Sequence, residues 1–77
     1  MTSYCIYLYC ERTDSYENAG VFGKEQDAML VAQNLKDLIE KGLLFETWND
    51  FQYPFVSVEI RKYSNTDTIT TGELIEV

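Results

Sequence analysis

The segment KEQDAMLVAQNLKDLIEK, Lys24 to Lys41, carries the strongest helical period in the chain and constrains the fold more than any other stretch. Ala28, Val31, Ala32, Leu35, Leu38 and Ile39 recur at helical spacing as one continuous stripe, while Gln26, Gln33, Asp37, Glu40 and Lys41 fall on other faces. A stripe of this kind has to be buried, and one helix flanked by strand-like runs can bury it only against a sheet. Gly23 is expected as the N-cap, and Glu25 and Asp27 occupy the first turn, where the helix dipole favours anions. Gly42 follows Lys41 as a left-handed glycine ending the helix. Leu30 lands opposite the stripe, with Met29 beside its boundary.

Either side of the helix the period changes to two. SYCIYLYCE, Ser3 to Glu11, has no breaker and reads as a strand with Tyr4, Ile6, Leu8 and Cys10 on one face. The other face carries Cys5, Tyr7, Tyr9 and Glu11, a wetter set placed outward or against a partner. RTDSYEN, Arg12 to Asn18, is polar turn chemistry, and AGVFG adds at most a brief strand before the helix. Past Gly42, the alternation of Val56, Val58 and Ile60 with Ser57, Glu59 and Arg61 gives a second strand over Tyr53 to Tyr63. SNTD, Ser64 to Asp67, then turns the chain into a third strand, Ile69 to Val77, with Gly72 a candidate bulge. The expected architecture is a single α+β domain over residues 1–77, two-layer, with one helix packed on a small, mainly antiparallel sheet in the order strand-helix-strand-strand. Its core pairs Val31, Leu35, Leu38 and Ile39 with Ile6, Leu8, Val56, Val58 and Ile60.

FETWNDFQYPF, Phe45 to Phe55, is the segment that this architecture does not absorb: five rings and the only proline of the chain, interleaved with Glu46 and Asp50. Phe45 and Phe55 are expected to plug the open end between helix and sheet, with Phe51 a candidate to join them, while Trp48 fits core and surface equally well.

A chain of 77 residues lies near the size below which a hydrophobic core alone supplies about 3–5 kcal/mol. With 45% hydrophobic residues it has enough apolar surface to order itself, so disorder is disfavoured despite the charge. Six Lys and Arg stand against thirteen Asp and Glu, a net of −7 dispersed along the chain. That field repels phosphate backbones and anionic membranes and attracts a basic groove; the same acidity also keeps a small protein soluble. Cys5 and Cys10 lie on opposite faces of one strand, about 16 Å apart, too far for a disulfide. With no secretory signal or membrane-length apolar run in the sequence, a reducing cytoplasm is the expected compartment.

The chemistry available is narrow. There is no histidine, which removes Ser/His and Cys/His pairs, and AGVFG lacks the length and the Lys-Ser/Thr of a phosphate loop. Two cysteines on opposite strand faces cannot begin a zinc site, and Asp14 and Glu17 lack calcium-loop spacing. Carboxylates such as Glu11, Glu17, Glu73 and Glu76 read as solvated surface, so neither enzyme activity nor a cofactor is expected. What remains is rings and carboxylates: Tyr7, Tyr9 and Tyr16, with Trp48, Phe51 and Tyr53, as candidate anchors, and Asp14, Glu46, Asp50 and Glu59 as charges that imitate a nucleic-acid strand.

This format, carried by SYCIYLYCE, the helix KEQDAMLVAQNLKDLIEKG and the charge of −7, resembles small phage-encoded counter-defence proteins, among them anti-CRISPR inhibitors that occupy the nucleic-acid-binding sites of effector complexes. The resemblance implies a stoichiometric inhibitor whose acidic surface blocks a basic nucleic-acid-handling protein in the host cytoplasm, with no direct nucleic-acid or membrane binding. Two other readings stand beside it. One is an oligomer that sequesters a nucleotide-like signal, with Arg12, Arg61 and Lys62 on phosphates and Tyr7, Tyr9 or Trp48 on a base. The other is a cytosolic interaction module of no defined class.

Overall fold

The computed structural model describes residues 2–64 and 72–77. One helix, α1 (Glu25–Glu40), covers one face of a four-stranded antiparallel sheet built from β1 (Thr2–Cys10), β2 (Ser15–Phe22), β5 (Ser57–Ser64) and β6 (Glu73–Ile75). A separate hairpin, β3 (Phe45–Trp48) and β4 (Phe51–Pro54), pairs only with itself. The spatial order is β2-β1-β5-β6, so β1 and β5 form the centre, and α1 lies over β5, β1 and β2. The α+β architecture expected from the two periods is present, with more strands than the sequence suggested.

Alternation in β1 sorts its residues as expected. Ile6, Leu8 and Cys10 are buried, and across the ladder Ile6 faces Ile60 and Leu8 faces Val58. Two connected clusters result. Ile6, Ala28, Ala32 and Ile60 form one, with Tyr4, Phe22, Val31, Leu35 and Ile75 against it. Leu8, Cys10 and Phe55 form the other, with Leu35, Ile39, Leu44 and Tyr53 alongside. The residues α1 buries fully are alanines, which let the helix backbone approach the sheet closely; the larger members of the stripe pack around them half-buried. Leu38 is half-buried and belongs to neither cluster, and Leu30 is exposed.

The helix ends obey local rules, with one correction. Lys24, not Gly23, is the N-cap, in an extended conformation and without a side-chain cap bond. At the other end Gly42 adopts φ +69°, its N–H bonds the Ile39 carbonyl at 3.0 Å, and the Leu43 N–H reaches back to the Leu38 carbonyl at 2.9 Å. Those two bonds close a Schellman motif.

The polar run Arg12 to Asn18 is not all turn. The turn ends at Asp14, which takes φ +50°, and Ser15 already pairs with Cys10. SYEN completes a strand because β1 offers it a full ladder, and an edge strand tolerates polar residues. A bulge lies here. Ile6 faces Gly20 and Tyr7 faces Asn18, leaving Ala19 as the extra residue, and the Asn18 side-chain oxygen accepts the Gly20 N–H at 3.0 Å. The extra residue turns Ala19 into both apolar clusters.

The expected second strand, Tyr53 to Tyr63, divides in two. β4 ends at Pro54, which has no N–H to continue a ladder, and β5 begins at Ser57. Val56, between them, is 45% exposed instead of buried; its N–H is held by the Tyr9 carbonyl at 2.9 Å. The third strand is antiparallel to β5 as expected, over Glu73–Ile75. Asn65 to Asp67 of the expected turn, and Ile69 to Thr71 of the expected strand, lie outside the described residues, while Ser64 ends β5. Gly72 is buried under the Tyr63 ring, where an added Cβ would lie 2.8 Å from a ring carbon. Both cysteines are free.

Candidate functional site

Because α1 takes one sheet face, the other is left without a second layer. The ladder registers place Cys5, Tyr7 and Tyr9 of β1, Tyr16, Asn18 and Val21 of β2, Glu59, Arg61 and Tyr63 of β5, and Leu74 of β6 on that open face. Its tyrosines are tied to one another. The Tyr7 and Tyr63 hydroxyls are 3.4 Å apart, and the Tyr9 and Tyr16 rings pack at a tilt of 39° with centroids 4.8 Å apart. Tyr9 donates its O–H to the Asp14 carboxylate at 2.7 Å, a bond that the left-handed conformation of Asp14 aims back at the strand. That hydrogen bond, which the neutral phenol donates, raises Tyr9 to about 12, with desolvation and the Asp14 charge adding to the effect. The hydrogen bond with Tyr63, then burial, pushes Tyr7 up to about 12 as well. Both phenols are therefore firmly neutral and hold the face as a hydrogen-bonded array.

Glu59 is not a free acidic contact. Its two oxygens accept from Arg61 at 3.4 Å each, and Arg61 also donates to the Gly72 carbonyl at 3.2 Å.

The second part of the surface is the β3–β4 hairpin. Trp48 pairs with Phe51 across a two-residue loop, and Asn49 and Asp50 both have positive φ, 50° and 68°, as a turn matched to strand twist requires. Asp50 therefore sits at the tip as a turn-former. Alternation puts Glu46, Trp48, Phe51 and Tyr53 on one hairpin face, with Glu46 opposite Tyr53. The hairpin base is anchored by Phe55, whose side chain is buried and whose N–H bonds the Leu44 carbonyl at 3.1 Å. Phe55 is thus the plug expected of it. Phe45 is not: it is 44% exposed, and Trp48 (58%) and Phe51 (65%) are more so. A two-stranded ribbon has no second layer to cover its rings, and Leu44 and Tyr53 fill the space beside Phe55 that Phe45 was expected to take.

One polar clasp joins the hairpin to the β1–β2 turn. The Glu46 carboxylate accepts from Thr13 Oγ1 at 2.8 Å and more weakly from Ser15 Oγ at 3.5 Å, and the two hydroxyls are 2.6 Å apart. Around this clasp lies a cleft of about 820 Å³. Tyr16, Trp48 and Tyr53 supply its rings, and Arg12 and Glu17 its remaining charges. Tyr16, 61% exposed, borders both this cleft and a shallower hollow lined by Tyr7, Glu59, Arg61 and Tyr63, so the open face and the cleft are one surface.

Of the expected site residues, Tyr7, Tyr9, Asp14, Tyr16 and Glu59 are brought together on or beside the open face, and Glu46 and Trp48 join them through the cleft. Asp50, at the hairpin tip, does not line either hollow. Tyr53, a candidate ring of the sequence, does line the cleft, and Tyr63 is the ring that the sequence reading leaves out. Alternation outward from Ile60 marks it. Arg12, Arg61 and Lys62 do not converge: Arg12 borders the cleft, Arg61 is engaged by Glu59, and Lys62 pairs with Tyr4 in the register that faces the helix. Among the described residues no group of His, Cys, Asp and Glu is arranged to hold a metal ion, and no helix is long and apolar enough to cross a membrane. No family model matches the chain, and no curated protein or solved structure matches it either.

Proposed function

We propose that this protein acts by stoichiometric binding rather than catalysis, holding a basic, nucleic-acid-handling protein and blocking the site of its anionic ligand. The observation that carries the reading is the exposure of Tyr16, Trp48 and Phe51 on sheet and hairpin elements, with Glu17 and Glu46 at the cleft and Asp14 bonded to the neighbouring Tyr9, in a chain of net charge −7. Large rings on ordered strands bury much area at little entropic cost, and a dispersed negative field steers a basic partner toward them. A CRISPR effector is the partner that the resemblance in format brings forward. The sequestering alternative is less well supported, because its three cations are separated within the chain.

Affinity capture from the native host, with mass spectrometry of co-purified proteins and small molecules, tests the proposal. A basic nucleic-acid-binding protein in defined stoichiometry is expected. Added salt should slow association, and Trp48→Ala should shorten the lifetime of the complex more than loss of any one of Glu46, Asp50 or Glu59. Recovery of a nucleotide-like ligand without a basic protein would replace this reading with sequestration.

A further inference from the structure

We infer that the cleft between the β1–β2 turn and the β3–β4 hairpin is a socket for a guanidinium group, the side chain of an arginine that the partner presents. The inference rests on the binding reading above and specifies the chemistry recognised. Three rings from separate elements line it, Tyr16 of β2, Trp48 of β3 and Tyr53 of β4, and an aromatic ring attracts a cation over its face. At the junction of those elements Glu46 is already oriented. Thr13 and Ser15 bond its Oε2, while Oε1 has no hydrogen-bond partner among the described residues and is left for an incoming donor.

The charges at the cleft select the occupant. Glu17 and Glu46 oppose Arg12 alone, so a phosphate would meet one cation and two like charges. A purely apolar occupant would strip water from Glu46 without replacing its lost hydrogen bonds. A cation meets both demands. The planar, weakly hydrated guanidinium suits this lining better than a compact ammonium, because it can stack on a ring while its edge N–H groups reach a carboxylate.

Nuclear magnetic resonance titration of the whole protein with N-acetyl-argininamide tests the socket directly, since Trp48, the only tryptophan, gives a unique indole signal. Saturable shifts are expected at Tyr16, Glu46, Trp48 and Tyr53, with none at those residues on titration with AMP. Glu46→Gln keeps an acceptor for Thr13 and Ser15 but removes the charge, so it should weaken binding about tenfold while signals away from the cleft stay in place. Silence of the cleft toward argininamide, an unchanged affinity in Glu46→Gln, or seating of AMP there would overturn the inference. The two proposals fail separately. Capture of a basic partner alongside a silent cleft would remove only the socket, whereas seated argininamide with no basic protein recovered would remove only the inhibitory role.

Discussion

β1 and the β3–β4 hairpin are the two ring-rich regions of the chain, and they use their rings differently. β1 has a neighbour on each edge and a helix over one face, so its alternation divides into a buried row, Ile6, Leu8 and Cys10, and a row of hydrogen-bonded tyrosines. The hairpin pairs its strands only with each other. Phe55 behind it is buried, but Phe45, Trp48 and Phe51 stay exposed although each offers a large apolar ring. Burial of an aromatic residue is decided by what lies across from it, and hydrophobicity only makes the burial worthwhile.

The strongest test of this contrast is Ile60→Ala. Ile60 is fully buried between β1 and α1, and its truncation should cost about 2–5 kcal/mol, a large share of a small domain's stability. Chemical denaturation that found the variant as stable as the parent would break the assignment of this core. Gly72→Ala comes next. Its Cβ would press on the Tyr63 ring and crowd Arg61, so a loss of about 1–3 kcal/mol is expected from overpacking, together with displacement of Tyr63 signals on the open face.

A smaller effect belongs to alkaline solution. An ordinary phenol titrates at 10.0, whereas Tyr7 and Tyr9 in the fold are raised to about 12. Their contribution to stability is complete below pH 10 and is lost as pH rises toward 12, because the unfolded phenols release protons first. Tyr9→Phe should flatten that decline in melting temperature; an equally steep decline would separate the Asp14 bond from stability. The smallest change is expected from Phe51→Ala, within about 0.5 kcal/mol, despite removal of a whole ring. A loss near that of Ile60→Ala would mean that the hairpin rings belong to a core after all, and would end the contrast.

Much of this division could be read before the fold was known. The helix, its glycine stop and the inner row of β1 follow from period and turn chemistry within a few residues of one another. Asp14 and Tyr16 were legible as candidate contacts, but the bond to Tyr9 and the ring contact with it depend on β2 returning along β1, which a polar run such as SYEN does not announce. Val56 continues the alternation of Val58 and Ile60 and so reads as an inward residue, yet Pro54 ends the ladder before it and leaves it exposed.

The sequence by itself determined the α+β class, the helix with its buried stripe, the free thiols of Cys5 and Cys10, and the charge of −7, since each depends on spacing or count. Tertiary structure decided that Phe55 is core and Phe45 is not, that Glu59 is bound by Arg61, and that Thr13, Ser15 and Glu46 close one side of a ring-lined cleft. The core place of Phe55 and the clasp turn on residues more than thirty positions apart, as Thr13 meets Glu46, whereas Glu59 and Arg61 are two positions apart on one strand face. A local pattern fixes which way a side chain points along its own strand; only the pairing of strands fixes what it meets there.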